Sequence, residues 1–201
     1  LMTRLLTDID DETTVSSLDG IGAYDHVSRA CFLEELRNNA DLAPLLPFVR
    51  LWYSRPSTYT WRDESGTVHN IAQAEGVEQG DPLSPLLFSL AVHAALTHAQ
   101  ESLREGEYLF AFLDDVYTVT PKRRATEVAR LVATRIHQHA GVEPKLGKFQ
   151  IWSKGGGPEP EGIDDLLDGA PRPADPIWRG DLDAERNGMV ILGAPVGSPE
   201  F

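Results

Sequence analysis

The stretch YLFAFLDDVYTVT, residues 108–120, decides the reading of this chain. Its aromatic and β-branched residues describe two short strands, with Asp114 and Asp115 between them. Tandem aspartates suit a two-residue turn poorly. Asn-Gly or Asp-Gly would serve it better, and adjacent carboxylates repel. A local rule broken inside an apolar hairpin points to function. The alternative for an isolated Asp-Asp pair is a solvated turn, because exposed acids are common. The pair therefore needs partners elsewhere in the chain.

A partner lies upstream. Residues 13–19, TTVSSLD, read as a strand ending in Asp19. If that strand lies beside the hairpin, three carboxylates converge. Oxygen donors without His or Cys suit Mg²⁺ or Mn²⁺. Two such ions, about 3.5–4 Å apart, can activate a 3′-hydroxyl and stabilise a leaving pyrophosphate.

The remaining elements follow from periodicity and punctuation. Ser28 is placed to cap a helix through about Asn38, with Phe32, Leu33 and Leu36 as its apolar stripe. A short helix is expected over 43–53. Strand-like runs at 57–62 and 67–73 are joined by the turn DESG, residues 63–66. Residues 75–82 read as a loop. Ser84 and Pro85 then predict a helix start, serine as cap and proline at the first position, with the helix running to about Arg104. Residues 122–140 form an amphipathic pattern on Val128, Leu131, Val132 and Ile136, stopped by Gly141. One or two short strands are expected over 142–153. Residues 154–187, rich in Pro, Gly and acids, read as a long surface loop or insertion, and 189–196 as a final apolar strand. This order implies an α+β fold with helices on one face of a sheet.

Composition narrows the function. The chain has 201 residues, 41% hydrophobic and 24% charged, which fits one domain with a core of its own. No apolar run approaches the ~18 residues of a membrane span, so no membrane partner is expected. The first residues carry no secretory pattern. The single cysteine, Cys31, excludes an internal disulfide and a cysteine-based metal cage, and reads as a core residue. It fits a reducing, intracellular setting. The net charge is −13, and residues 158–201 hold ten acidic and three basic side chains. Whole-molecule attraction to nucleic acid is therefore not expected. The six histidines show no metal-ligand spacing, and hydrophobic packing is the default for Trp52, Trp61, Trp152 and Trp178. The run Lys122-Arg123-Arg124 reads as a solvated helix start or, alternatively, as a phosphate contact.

Four blocks, in order, resemble the palm motifs of reverse transcriptases. They are Asp19-x-x-x-Ala23-Tyr24-Asp25, then QGDPLSP at 79–85, then Phe112-Leu113-Asp114-Asp115, then a glycine followed by a lysine, Gly141 to Lys148. The flavour is that of LINE-type (non-LTR) retrotransposon or group II intron enzymes. The resemblance implies a polymerase palm with an antiparallel, ferredoxin-like core and partial fingers over residues 1–153. The loop or insertion of 154–187 would follow, and 188–201 would begin a primer-gripping segment. It implies RNA-directed DNA synthesis by two Mg²⁺ or Mn²⁺ ions, with RNA template, DNA primer and dNTPs as partners. The setting would be the nucleus if the host is a eukaryote.

The resemblance also implies roles for matched positions. Asp19, Asp114 and Asp115 would be the metal ligands, and Asp25 second in line or structural. Tyr24 would lie beneath the incoming sugar and exclude a 2′-hydroxyl, its alternative being a core tyrosine. Gln79, Gly80 and Phe112 would bind substrate. Lys148, with Lys145 as rival, would protonate or neutralise the leaving pyrophosphate, or else be a solvated loop lysine. Only Arg4 is basic ahead of Asp19, and no thumb follows. The expectation is thus a fragment of a larger polymerase, or a decayed copy of a mobile element, inactive or nearly so in isolation. A palm of a viral RNA-dependent RNA polymerase and a non-catalytic binding domain are the alternatives. The former usually has Gly-Asp-Asp in place of Phe112-Leu113-Asp114-Asp115.

Overall fold

A computed structural model describes residues 10–201; Arg4 lies outside them. Four antiparallel strands form the main sheet: β1 Thr13–Leu18, β4 Tyr108–Phe112, β5 Asp115–Pro121 and β6 Gln150–Ser153, in the order β4-β5-β1-β6. The first strand among the described residues is thus central, which is the ferredoxin-like order. It pairs with β5 from Thr13↔Pro121 to Leu18↔Val116 and with β6 from Thr14↔Ser153 to Ser17↔Gln150.

The helices are α1 Ala23–His26, α2 Arg29–Asn38, α3 Leu46–Tyr53, α4 Ser84–Glu101, α5 Ala125–Ala140 and α6 Ile163–Leu166. α5 crosses one sheet face close in, because both surfaces are built from small residues. Ala125, Ala129 and Ala133 of the helix face a sheet surface that includes Thr14, Ser16, Thr118 and Thr120. The Thr14 hydroxyl donates to Thr120 O at 2.9 Å. The buried hydroxyls of Ser16 and Thr118 have no partner. α4 packs on α5, and α2 and α3 extend that layer around Phe32, Leu36, Val49 and Leu87.

The opposite sheet face is covered too. Residues 189–196, expected as a single strand, lie in a hairpin, β7 Gly188–Ile191 and β8 Ala194–Gly197, turning at Leu192 and Gly193. Met189, Ile191 and Val196 bury Val15, Tyr117, Val119 and Trp152.

Residues 154–187 are packed, not a surface loop. Ile163, Leu166, Leu167, Ile177 and Trp178 join the core beneath α5, and Arg179 donates to Gly188 O. Prolines and glycines shape this segment without keeping its apolar residues in water. Of the basic run at 122–124, Lys122 and Arg124 are built in, and Arg123 is exposed. Arg124 is buried and makes a bidentate pair with buried Glu107 (2.8 and 3.2 Å). Lys122 donates to Gly156 O and lies 4.5 Å from the Trp178 ring centre. Of the tryptophans, Trp152 and Trp178 are buried, whereas Trp52 on α3 and Trp61 on the hairpin β2 Ser57–Arg62/β3 Val68–Gln73 are more than half exposed.

The start of α4 corrects another expectation. Its cap position is Leu83, and the Ser84 hydroxyl donates to Glu78 O (2.6 Å) instead of capping. Asp81 does the local work, accepting from Leu83 N at 2.9 Å. α4 ends at Glu101, before Arg104, because Glu107 takes the Arg104 N–H and the chain turns at Gly106 with φ 83°.

Candidate active site

The end of β1 is pinned from a distance. Lys145 N donates to Asp19 O and Ile21 N to Glu143 O, each at 2.8 Å, and Gly20 bridges Pro144. Asp19 therefore leaves the sheet in a fixed direction. Continuing the β1–β5 register by one residue sets it opposite Asp115. The hairpin tip is Leu113-Asp114 and not the tandem aspartates, since Phe112 pairs with Asp115. Leu113 adopts φ 57°, a left-handed conformation costing roughly 1–2 kcal/mol in a residue with a Cβ. That strain puts Asp114 at the tip and Asp115 on the strand.

The three carboxylates share one field. The hairpin's partial burial of Asp115, then the charges of Asp114 and Asp19, raise its carboxyl above the usual aspartate range, although the residue as a whole is exposed. A hydrogen bond with the Tyr117 hydroxyl opposes this. That hydroxyl also accepts from Leu192 N at 3.3 Å, linking the β7–β8 turn to the site. Among the described residues, Asp19, Asp114 and Asp115 do not bring one oxygen each within 4.8 Å of the others. Lys148 Nζ stands 3.2 Å from Asp19 Oδ2, and this contact raises the lysine above its ordinary value. An all-carboxylate set whose charges raise Asp115, with Lys148 pairing only Asp19, fits a hard divalent cation.

A recess opens beside Asp114, lined by Gly20, Gly22, Tyr24, Asp25, Gln79 and Gly80. Tyr24, on α1, stacks flat on Phe88 of α4, centroids 4.6 Å apart. Burial and the Asp114 charge raise its hydroxyl pKa. Gln79 Nε2 donates to Asp25 Oδ1 at 3.4 Å. Gly80 has φ 95°, and a Cβ there would meet nothing within 4 Å, so its backbone faces open space. Of the expected site residues, Asp19, Asp114, Asp115 and Lys148 come together, and Tyr24, Gln79 and Gly80 line the recess. Phe112 does neither: it is 61% exposed on β4. Lys145 enters through its backbone.

Two residues that sequence reasoning missed hold the loop carrying Gln79 and Gly80. Gly76 packs against the α1 backbone so closely that a Cβ would come 2.2 Å from Asp25 O, and its φ is 76°. Gly76 N donates to Val27 O and Val77 N to Tyr24 O. Arg29, 4% exposed, grips the same loop. Its Nε donates to Gly76 O and its Nη1 to Arg55 O, both at 2.9 Å. Its guanidinium also lies over the Tyr53 ring, and Tyr53 OH meets Asp81 Oδ2 at 2.5 Å. The only sequence signal was a glycine in a loop and an arginine in the first turn of a helix.

Comparison with known proteins adds independent findings. The sequence profile of the family described as reverse transcriptase (RNA-dependent DNA polymerase) matches residues 3–187. The Retrotransposable element SLACS 132 kDa protein of Trypanosoma brucei gambiense is 28% identical over 148 residues, which is 74% of this chain and 12% of that protein. Among solved structures, telomerase from Candida albicans in complex with a TWJ fragment of telomeric RNA superposes with a TM-score of 0.57 at 15% identity, over 78% of this chain and 30% of that one. The corresponding Candida tropicalis complex gives 0.57 at 12% identity, over 78% and 29%. At these identities the structural likeness speaks for the fold alone. The chain spans a small part of the retrotransposon protein and less than a third of each telomerase chain.

Proposed function

The chain belongs to the reverse transcriptase family, and on that premise we propose that it is the catalytic palm of a larger retroelement polymerase performing RNA-directed DNA synthesis. The observation that carries this reading is the placement of Asp19 opposite Asp115 in the β1–β5 register, with Asp114 at the tip facing the Tyr24-Gln79-Gly80 recess. The proposed partners are an RNA template, a DNA primer and dNTPs, in the nucleus where the host is a eukaryote.

Asp19, Asp114 and Asp115 would hold the divalent cations of the family, in our reading two Mg²⁺ or Mn²⁺. When bound, these supply activation of the primer 3′-hydroxyl and neutralise the leaving pyrophosphate. The chain's own groups do the rest. Tyr24, locked flat on Phe88, cannot swing away from the recess, so its ring limits the space at the 2′ position of an incoming sugar. Gly80 lets the backbone approach the nucleotide. Lys148, held protonated beside Asp19, is placed to donate a proton or charge to departing phosphate oxygens. Phe112 stands exposed on β4 outside the recess, where its ring could stack on an unpaired base.

Asp114→Asn tests the reading. It should abolish saturable Mn²⁺ binding followed by electron paramagnetic resonance, and lower primer extension on an RNA template by more than about 100-fold, beyond the usual effect of losing a residue behind the ligands. Tyr24→Ala should raise rNTP incorporation relative to dNTP. Unchanged Mn²⁺ binding in folded Asp114→Asn overturns the metal assignment, and unchanged sugar selectivity overturns the role of Tyr24.

A further inference from the structure

A second group of metal-binding side chains lies away from the aspartates. α2 begins where α5 ends: Ser28 N donates to Ala140 O at 2.8 Å, and the Ser28 hydroxyl caps α2 by accepting from Cys31 N. This junction turns one face of the first two turns of α2 toward the last turn of α5. Cys31 and Glu35, four residues apart, share that face. His139 looks back at them from α5. One ligand atom from each of Cys31, Glu35 and His139 lies within 4.8 Å of the other two, and His139 Nε2 is 3.5 Å from Glu35 Oε1.

We propose that Cys31, Glu35 and His139 form a Zn²⁺ site that staples α2 to the end of α5. The donor set decides the metal. One thiolate, one imidazole and one carboxylate suit Zn²⁺, whereas Mg²⁺ takes oxygen. Tetrahedral bond lengths of about 2.0–2.3 Å put neighbouring donors about 3.3–3.6 Å apart. The His139–Glu35 separation already matches, so the cysteine has less than about 1.5 Å to travel. Three protein ligands leave a fourth position, which the partial exposure of Glu35 and His139 opens to water. The Cys31 thiol, which now donates to Ala91 O at 3.4 Å, gives its proton to solvent on binding.

The position gives the site a consequence. Four residues beyond His139 begins the 143–145 segment that pins the backbone of Asp19 and Ile21. A cation at the α2–α5 junction therefore fixes both ends of the frame that aims Asp19.

Co²⁺ is the probe. The whole chain titrated with Co²⁺ should develop an intense near-ultraviolet thiolate-to-metal band saturating at one equivalent, and Zn²⁺ should erase it. The band should persist in Asp114→Asn, which separates this site from the aspartates. Cys31→Ser and His139→Ala should lose it. Glu35→Gln, isosteric and partly exposed, keeps the fold and should bind Co²⁺ at least tenfold more weakly. Co²⁺ binding without the band, a band surviving His139→Ala, or unchanged affinity in Glu35→Gln overturns the proposal and leaves a Glu35–His139 ion pair.

Discussion

Replacing Arg29 by Met tests whether this buried residue, which does not itself line the recess, sets the shape of the nucleotide recess. The substitution keeps an apolar stem of similar length and removes the charge. It deletes two charge-assisted hydrogen bonds, to Gly76 O and Arg55 O, each at 2.9 Å. Such bonds contribute about 1.5–3 kcal/mol apiece. Two effects offset the loss. Methionine still fills the space beside Tyr53, and the burial cost of the guanidinium disappears together with its long Nη2–Glu78 Oε1 ion pair at 3.8 Å. The net expectation is a destabilisation of about 2–4 kcal/mol. For a chain of this size that is a fall in Tm of about 4–16 °C. Circular dichroism melting measures it. Because Gly76 anchors the loop bearing Gln79 and Gly80, the KM for dNTP should rise in the active polymerase more than kcat falls. Arg29→Lys should rescue little, since an ammonium cannot reach two carbonyls in fork geometry. A melting temperature of Arg29→Met within 2 °C of the parent, at the precision implied by about 1 kcal/mol, would refute the reasoning.

Other outcomes follow from the same structure. Thr118→Val fills the same volume and removes a buried hydroxyl without a partner, so it should stabilise the fold by about 1 kcal/mol in urea titration. Glu107 is held below the usual carboxylate range first by its bond to Arg124. Its depressed value means that its contribution is complete above the ordinary glutamate pKa, about 4.3, and lost as pH falls below it. Stability of the parent should drop between about pH 4.5 and 3, and Glu107→Gln, destabilised at neutral pH by about 3–5 kcal/mol, should drop less steeply there.

Most of the architecture was written in short-range patterns. β-Branched and aromatic composition marked β1, β4 and β5, three- and four-residue spacing marked α5, and Gly141 ended it. The aspartates could be read because two adjacent acids inside an apolar hairpin stand out, although the turn itself is Leu113-Asp114. What escaped depended on partners far along the chain. Ser84 has the composition of a cap, but the Glu78 carbonyl claims its hydroxyl. Arg29 looks like a solvent residue until the 75–81 loop closes over it. Residues 154–187 hide their apolar side chains among prolines and acids, with no period to betray that Ile163, Leu166 and Trp178 are core. Cys31, Glu35 and His139 show no ligand spacing because two helices supply them and His139 lies more than a hundred residues beyond the other two.

The central place of β1 has a bearing on how the protein is made. Its first neighbour, β5, begins 97 residues after β1 ends, and its second, β6, ends at Ser153. At about 5–20 residues per second of synthesis, β1 waits on the order of ten seconds for both edges to be satisfied. During that interval its Thr, Val and Leu backbone is an open template for the wrong strand. Contacts so distant along the chain also slow folding. The sheet that carries Asp19 is thus among the last parts to close, and a ribosome stopping before Gln150 would release a chain with that strand paired on one side at most.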